Sequence, residues 1–345
     1  MRPSELQKAL EFSLVNNFPL LIKGQPGIGK SEIVLQACET VGYECLIMHP
    51  VVSDPTDFKG MPWVVIGKSG ENEAIFIPIG ELKRLLTATK PLVVFLDDLG
   101  QSTPAVQSAV MQLILARQIN GHKISEHVRF VAATNRREDR ANVSGILEPV
   151  KSRFYSIVGL EIDPIKDPKC VDEWIEWAWK NQMPHELISF IKFDPKWLNK
   201  FDPTRDLVNS PCPRTNANIG RMIAKGLPDS IWFEMVAGAA GEKYAGDFNN
   251  YLETYRYLPS IYQIESDPNG TDIPDTIGAR FALTNMLTEK MNNQNIGSFI
   301  IYLKRMGEEM LVSAMMNASK RNTSIMNTPE FLRFGVQYGN ILTSC

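Results

Sequence analysis

Eight consecutive residues, Gly24-Gln25-Pro26-Gly27-Ile28-Gly29-Lys30-Ser31, combine three glycines with one lysine and a closing hydroxyl. Glycines let successive backbone N–H groups converge on an anion without Cβ atoms in the way. A helix that starts at such a loop adds the partial positive charge of its N-terminus. Lys30 offers a cation to the outer phosphates, and Ser31 offers a hydroxyl to a divalent metal. The spacing G-x-x-x-x-G-K-[ST] carries this meaning when it joins a buried strand to a helix. Phe18–Ile22 is an apolar run ahead of the loop. Ile33, Val34, Ala37 and Val41 recur at helical spacing behind it, up to Gly42. The plainer alternative is a glycine-rich turn with an incidental lysine, and both flanks argue against it.

Two more apolar runs end in polar residues. In Pro91-Leu-Val-Val-Phe-Leu-Asp97-Asp98, five apolar residues lead into paired acids, the pattern of a fully buried parallel strand that ends at a site. Asp97 suits a role in organising Mg²⁺ and Asp98 a role in orienting water; two helix-capping aspartates are the alternative. Val128–Arg136 is a second buried strand. Asn135 at its end can hydrogen-bond an attacking water and a γ-phosphate, or simply make a turn. Arg153 closes a short helix ahead of a fifth strand, Phe154–Val158, where a lone arginine is ordinarily solvated. Upstream, Leu6, Leu10 and Leu14 mark a helix, with Ser4-Glu5-Leu6-Gln7 reading as its capping box.

In this order, GQPGIGKS, VVFLDDLGQSTPAVQSAVMQLILARQ, FVAATNR and ILEPVKSRF resemble the AAA+ ATPases, and among them the MoxR-like group. Gly60–Pro78 looks like the β-hairpin which that group inserts in its second helix: two apolar runs flank a polar tip. Arg117-Gln-Ile-Asn120-Gly121-His-Lys-Ile looks like the hairpin before the sensor strand, with Asn-Gly as a strong hairpin signal. The resemblance covers Leu6 to Phe154. It implies an α/β fold: an AAA+ P-loop domain with a five-stranded parallel sheet, the Asn135 strand lying between the loop strand and the Asp97 strand. It further implies that Arg153 reaches a neighbouring subunit's ATP. More thinly, Asn209–Arg221 resembles the sensor-2 segment, and that role falls on Arg214. Asp98 departs from the family pattern, which has glutamate there and an arginine shortly after. Nucleotide binding should survive this change, while fast hydrolysis depends on where the shorter arm sits.

Behind Asp163–Pro168, which reads as a linker, the pattern is helical over Val171–Asn181, Glu186–Ile191, Ile219–Lys225, Ser230–Tyr257 and Ile277–Lys320, the last with a break near Asn292–Gly297. Pro203–Pro213 and Ser266–Asp275 read as loops. The expected organisation is an AAA+ domain over 1–162 with two inserted hairpins, an all-α lid over 163–228, and a helical C-terminal extension over 229–345. Seven methionines between Met286 and Met326, with Leu303, Met306, Met310 and Ala314 as an apolar stripe, suit a packed core better than a promiscuous binding face. So do Trp174 and Trp177.

The 345 residues carry a net charge of −3 and five scattered cysteines without a CxxC. That balance argues against a general polyanion binder. The cysteines read as reduced thiols, neither disulfide framework nor zinc site. With no apolar signal region and no membrane-length run, a cytoplasmic protein without membrane partners is expected. The leading reading is an ATP-hydrolysing, chaperone-like ring, most simply a hexamer of this chain. In it the Gly24–Ser31 loop holds ATP, and Ser31 and Asp97 hold Mg²⁺. Asp98, Asn135, Arg153 and Arg214 act on the γ-phosphate or its water. The MoxR-like resemblance suggests a von Willebrand factor A-domain partner. A DNA-associated relative of clamp loaders or helicase loaders, touching phosphate with Arg117, His122 and Lys123, is one alternative. A slow nucleotide-gated scaffold is another.

Overall fold

The computed structural model describes the chain apart from residues 67–69, 140–144, 204–206 and 343–345, and only the backbone of 254–256 and 339–342. The chain divides into two compact units, Met1–Asp163 with Asp202–Leu207, and Pro164–Phe201 with Val208–Cys345.

The first unit runs α1 (Pro3–Val15), β1 (Leu20–Lys23), α2 (Lys30–Val41), β2 (Glu44–Met48), α3 (Pro55–Lys59), β3 (Met61–Ile66), β4 (Asn72–Ile77), α4 (Gly80–Thr87), β5 (Leu92–Leu96), α5 (Pro104–Ala116), β6 (Gln118–Ile119), β7 (His122–Lys123), β8 (Val128–Thr134), α6 (Glu148–Lys151) and β9 (Ser156–Gly159). Five strands form one parallel sheet in the order β2-β5-β8-β1-β9. β5 is buried along its whole length and β8 everywhere but at Arg129, which is why β5 reads as an unbroken apolar run and β8 as one from Phe130 to Ala133. β8 lies between β1 and β5, as the resemblance implies. Leu46, Phe58, Leu96, Val110, Leu113, Ile119 and Phe130 belong to the core beside the sheet.

Both hairpins form. β3 pairs antiparallel with β4, from Met61 opposite Ile77 to Ile66 opposite Asn72; residues 67–69 of the expected tip lie outside the described residues. Gly60 opens it with φ 85°, and a Cβ there would stand 2.7 Å from the Ile77 carbonyl oxygen, so the close approach requires glycine. β6 and β7 turn at Asn120 (φ 46°) and Gly121 (φ 83°), both left-handed as a tight two-residue turn demands. The hairpins touch: His122 Nε2 lies 3.0 Å from the Phe76 carbonyl oxygen, and Asn120 Nδ2 donates to the Lys59 carbonyl at 2.8 Å. Arg117 Nη2 is turned onto the carbonyls of Ser125 (2.7 Å) and Val128 (3.1 Å). Arg117 and His122, two of the three residues on which the DNA-associated alternative drew, thus each make an internal contact.

α1 begins at Pro3, so the capping box is displaced from Ser4. The Glu5 carboxylate accepts the Arg2 backbone N–H at 3.0 Å. That bond, with the Arg2 side chain, draws the Glu5 carboxyl below its ordinary range. The fifth strand begins at Ser156, and Phe154 is core.

The second unit is helical: α7 (Lys169–Lys180), α8 (His185–Phe193), α9 (Pro213–Ala224), α10 (Asp229–Ala240), α11 (Glu242–Arg256), α12 (Ile261–Ser266), α13 (Ile277–Lys290), α14 (Ile296–Met306), α15 (Glu308–Arg321) and α16 (Pro329–Leu342). The long stretch expected over Ile277–Lys320 breaks twice, at 291–295 and again at Gly307. Of the methionines, Met291, Met306 and Met315 are buried in its core with Leu303 and Ala314, while Met326 is exposed. Trp174 is buried too. Phe190 stacks on Phe248 (centroids 4.7 Å apart) and meets Tyr244 edge-on. Within this cluster Asn216 is fully buried: Tyr244 Oη donates to its Oδ1 at 2.7 Å, and its Nδ2 reaches the carbonyls of Trp197 (2.9 Å) and Cys212 (3.0 Å). Burial pushes the Tyr244 phenol well up.

Buried polar groups robbed of partners cost their full desolvation. Asn216→Leu should destabilise the second unit by about 3 kcal/mol and Tyr244→Phe by about 1–2 kcal/mol. Urea unfolding followed by tryptophan emission reads this directly, since Trp174, Trp177, Trp179, Trp197 and Trp232 lie in that unit.

Candidate functional site

In a parallel sheet every strand ends on the same edge. Here the ends of β1, β8 and β5 carry Gly24, Asn135 and Asp97. Register fixes them: Lys23 lies opposite Thr134, and Leu96 opposite Ala132. The pairing continues past the strands, with Gly24 N–H on the Thr134 carbonyl (3.2 Å) and Asp97 N–H on the Met48 carbonyl (2.9 Å).

The loop leaves β1 and enters α2 with Gly27 (φ 75°) and Gly29 (φ 95°) left-handed. Gly29 is the N-cap, so α2 starts at Lys30 and its free N–H groups face the loop's hollow. Ile28 turns inward and is buried, anchoring the loop from below. Gln25 and Pro26 flank the hollow, half-buried. Lys30 is 7% exposed. A buried ammonium must be paired. Its Nζ donates to the carbonyls of Gly24 (2.9 Å) and Gln25 (2.8 Å) and to Asn135 Oδ1 (2.7 Å).

Asn135 is the bridge of the site. It is 8% exposed, and its Nδ2 donates to Asp98 Oδ1 at 3.0 Å. Ser31 Oγ donates to Asp97 Oδ2 at 2.6 Å, and Asp97 Oδ1 accepts the Asp98 N–H at 3.0 Å. Lys30, Ser31, Asp97, Asp98 and Asn135 therefore form one connected cluster at the sheet edge. A hydroxyl beside a carboxylate is a hard-oxygen pair of the kind that takes Mg²⁺ along with phosphate oxygens and water. Among the described residues no group of three or more His, Cys, Asp or Glu side chains is arranged to hold a metal by itself.

Arg153 follows α6. Its Nε is buried without a hydrogen-bond partner among the described residues, and Nη1 donates to Ser152 Oγ at 3.3 Å. The segment leading to it is tied to the acidic turn: Gly145 N–H bonds the Gly100 carbonyl (3.3 Å), and Gln107 holds the Gly145 carbonyl (2.9 Å) and the Leu147 N–H (3.0 Å). Arg214 is exposed in the first turn of α9, in the second unit.

One residue of the cluster escaped the sequence reading. Gln101 ends the 3₁₀ turn Leu99–Gln101, three residues after Asp98, where i, i+3 spacing folds it back over that carboxylate. The amide in the place of an expected arginine was the available signal.

A Cβ on Gly29 meets nothing within 4 Å, so Gly29→Ala tests backbone conformation alone. Left-handed alanine costs about 1–2 kcal/mol. Thermal unfolding of the variant should show that loss without a change in the folded spectrum.

Comparison with known proteins bears on the first unit. Residues 19–154 match the AAA domain (dynein-related subfamily). No curated protein matches this chain. The RuvB Holliday junction branch migration motor of Thermotoga maritima is similar at 15% identity, covering 76% of this chain and 73% of its own, with a TM-score of 0.41. NtrX from Brucella abortus is similar at 14% identity over 95% of this chain and 64% of its own, with a TM-score of 0.43. NtrX in complex with ADP gives 13%, 97%, 68% and 0.43. The strand order and the matched segment together make the first unit an AAA+ P-loop fold, followed by a large helical part.

Proposed function

We propose that this chain is an ATP-hydrolysing AAA+ ring protein of the MoxR-like kind, which uses the nucleotide cycle to remodel or activate a partner protein. The observation that carries the reading is the connected set Lys30–Asn135–Asp98 beside Ser31–Asp97. It joins a phosphate cradle, a metal-type oxygen pair and a water-orienting carboxylate within one hydrogen-bonded cluster.

ATP is the substrate. The backbone of Gly24–Lys30 and the N-terminus of α2 cradle its phosphates, and Lys30 turns its ammonium to the outer ones. Mg²⁺, held by Ser31 and Asp97, would supply charge neutralisation on the phosphate oxygens. Asp98 and Asn135 orient the attacking water. Arg153, by the family resemblance, is assigned to the ATP of a neighbouring copy, which makes a ring the natural assembly and a hexamer the simplest count. Arg214 on the helical lid is assigned to the γ-phosphate of its own chain. The exposed Trp63, Val64 and Ile66 of β3 give a ring an apolar element to move against a client. The family resemblance points to an A-domain protein among its partners. Among the described residues no helix is long and apolar enough to cross a membrane.

Phosphate release should be Mg²⁺-dependent and stop with EDTA. Arg153→Ala should keep nucleotide affinity and lose about 10³-fold in turnover. Mixed with Lys30→Ala chains in equal amounts, it should recover activity, since about a quarter of random interfaces pair an intact loop with an intact arginine. Full activity of Arg153→Ala alone contradicts a shared site.

A further inference from the structure

An aspartate carries its carboxylate close to the main chain, so its reach is set by its own φ and ψ. Asp98 is left-handed, at φ 57° and ψ 33°. That region costs a non-glycine residue about 1 kcal/mol and persists only where neighbours hold it. Two backbone bonds contribute: Asp98 N–H on Asp97 Oδ1 (3.0 Å) and Gln101 N–H on the Asp98 carbonyl (3.0 Å). The Gln101 side chain adds more. With its amide oriented to match its neighbours, Nε2 donates to the Asp98 carbonyl (3.2 Å) and to Asp98 Oδ1 (3.0 Å), while Oε1 accepts from Asn135 Nδ2 (3.0 Å). The reverse orientation would set oxygen against oxygen and amine against amine.

Three side chains thus close a triangle, each bonded to the other two. Asn135 spends one amide proton on Asp98 and one on Gln101. Both donors meet Asp98 at Oδ1, and Oδ2 is the oxygen they leave for a water. We propose that Gln101 is a positioning residue for ATP hydrolysis: it holds the Asp98 carboxylate and the Asn135 amide in fixed relation, so that Oδ2 faces the attacking water. This rests on the hydrolytic reading above. In that step the water oxygen bonds to the γ-phosphorus while the bond from that phosphorus to the bridging oxygen breaks. ADP leaves with the electron pair, and a water proton passes to Oδ2. Gln101 makes and breaks no bond. A side chain with an acceptor at one fork and a donor at the other is what this place requires, and only an amide supplies both at that length.

The test compares wild type, Gln101→Ala, Gln101→Glu, Asp98→Asn and the Asp98→Asn/Gln101→Ala double variant. Steady-state phosphate release gives kcat and KM, and titration with a fluorescent ATP analogue gives Kd. Misplacement of a positioned group costs about 10–100-fold. Gln101→Ala should lose that much in kcat, with KM and Kd within about twofold of wild type. The double variant should lose far less than the product of the two single losses, because most of what Gln101 does runs through that carboxylate. Gln101→Glu keeps the length and replaces the amide donor with a second carboxylate. It should bind the analogue normally with kcat equally reduced, and it decides the matter if the alanine variant is unfolded. Unchanged kcat in a wild type that turns over, or a second full loss on top of Asp98→Asn, overturns the role of Gln101. A drop in analogue binding parallel to kcat overturns it as well, in favour of a folding role. A wild type that binds the analogue but releases no phosphate overturns the hydrolytic reading and this inference with it.

Discussion

The position of β8 between β1 and β5 is the constraint on which the rest of the first unit depends. Parallel strands end on one edge, and a ligand crevice lies beyond those ends. Only with β8 in the middle can the residue after it touch both the loop lysine and the acidic turn. Asn135 does so, with Oδ1 on Lys30 and Nδ2 on Asp98. A register slip of one residue would send the polar ends of these strands to the opposite face. The long apolar runs of β5 and β8 guard against that, because burial on both faces penalises any misplaced polar residue.

The cluster stores cost in several places and balances it locally. A buried ammonium at Lys30 is held by three oxygens. The left-handed backbone at Asp98 is held by the neighbouring acid and by Gln101. The Ser31–Asp97 bond keeps a hydroxyl and a carboxylate together. Each contact is modest, about 1–3 kcal/mol for a bond to a charged group. Their value lies in connection: every member shares a partner with another, so none is free to swing out of place. The same turn is tied through Gly100 and Gln107 to the segment that carries Arg153.

Legibility in the sequence followed the range of the interaction involved. The loop, its strand and its helix were readable because glycine, lysine and hydroxyl each have a local reason to be there. The Asn-Gly turn was readable for the same reason. The strand order was not in the residues at all; it came from the resemblance to AAA+ proteins. The capping box slipped because Pro3 sets the first turn of α1 and leaves Arg2 as the cap. α12 was missed although Ser260 and Gln263 form a true capping box, with Gln263 N–H on Ser260 Oγ. α16 is amphipathic, but Gly335 and Gly339 break its local helix signal, and packing of Phe334 and Tyr338 supports it. Gln101 is the same lesson at the site: its meaning depends on Asn135, thirty-four positions away, which no local pattern announces.

If the cradle is a nucleotide site, Lys30 governs its affinity for phosphate. Calorimetric titration of MgATP into wild type and Lys30→Ala tests that most directly. One ATP should bind per chain, with an affinity reduced about 10–100-fold in the variant, as loss of a charge-assisted contact implies. Absence of binding to wild type at millimolar ATP, or equal affinity in both chains, would contradict it.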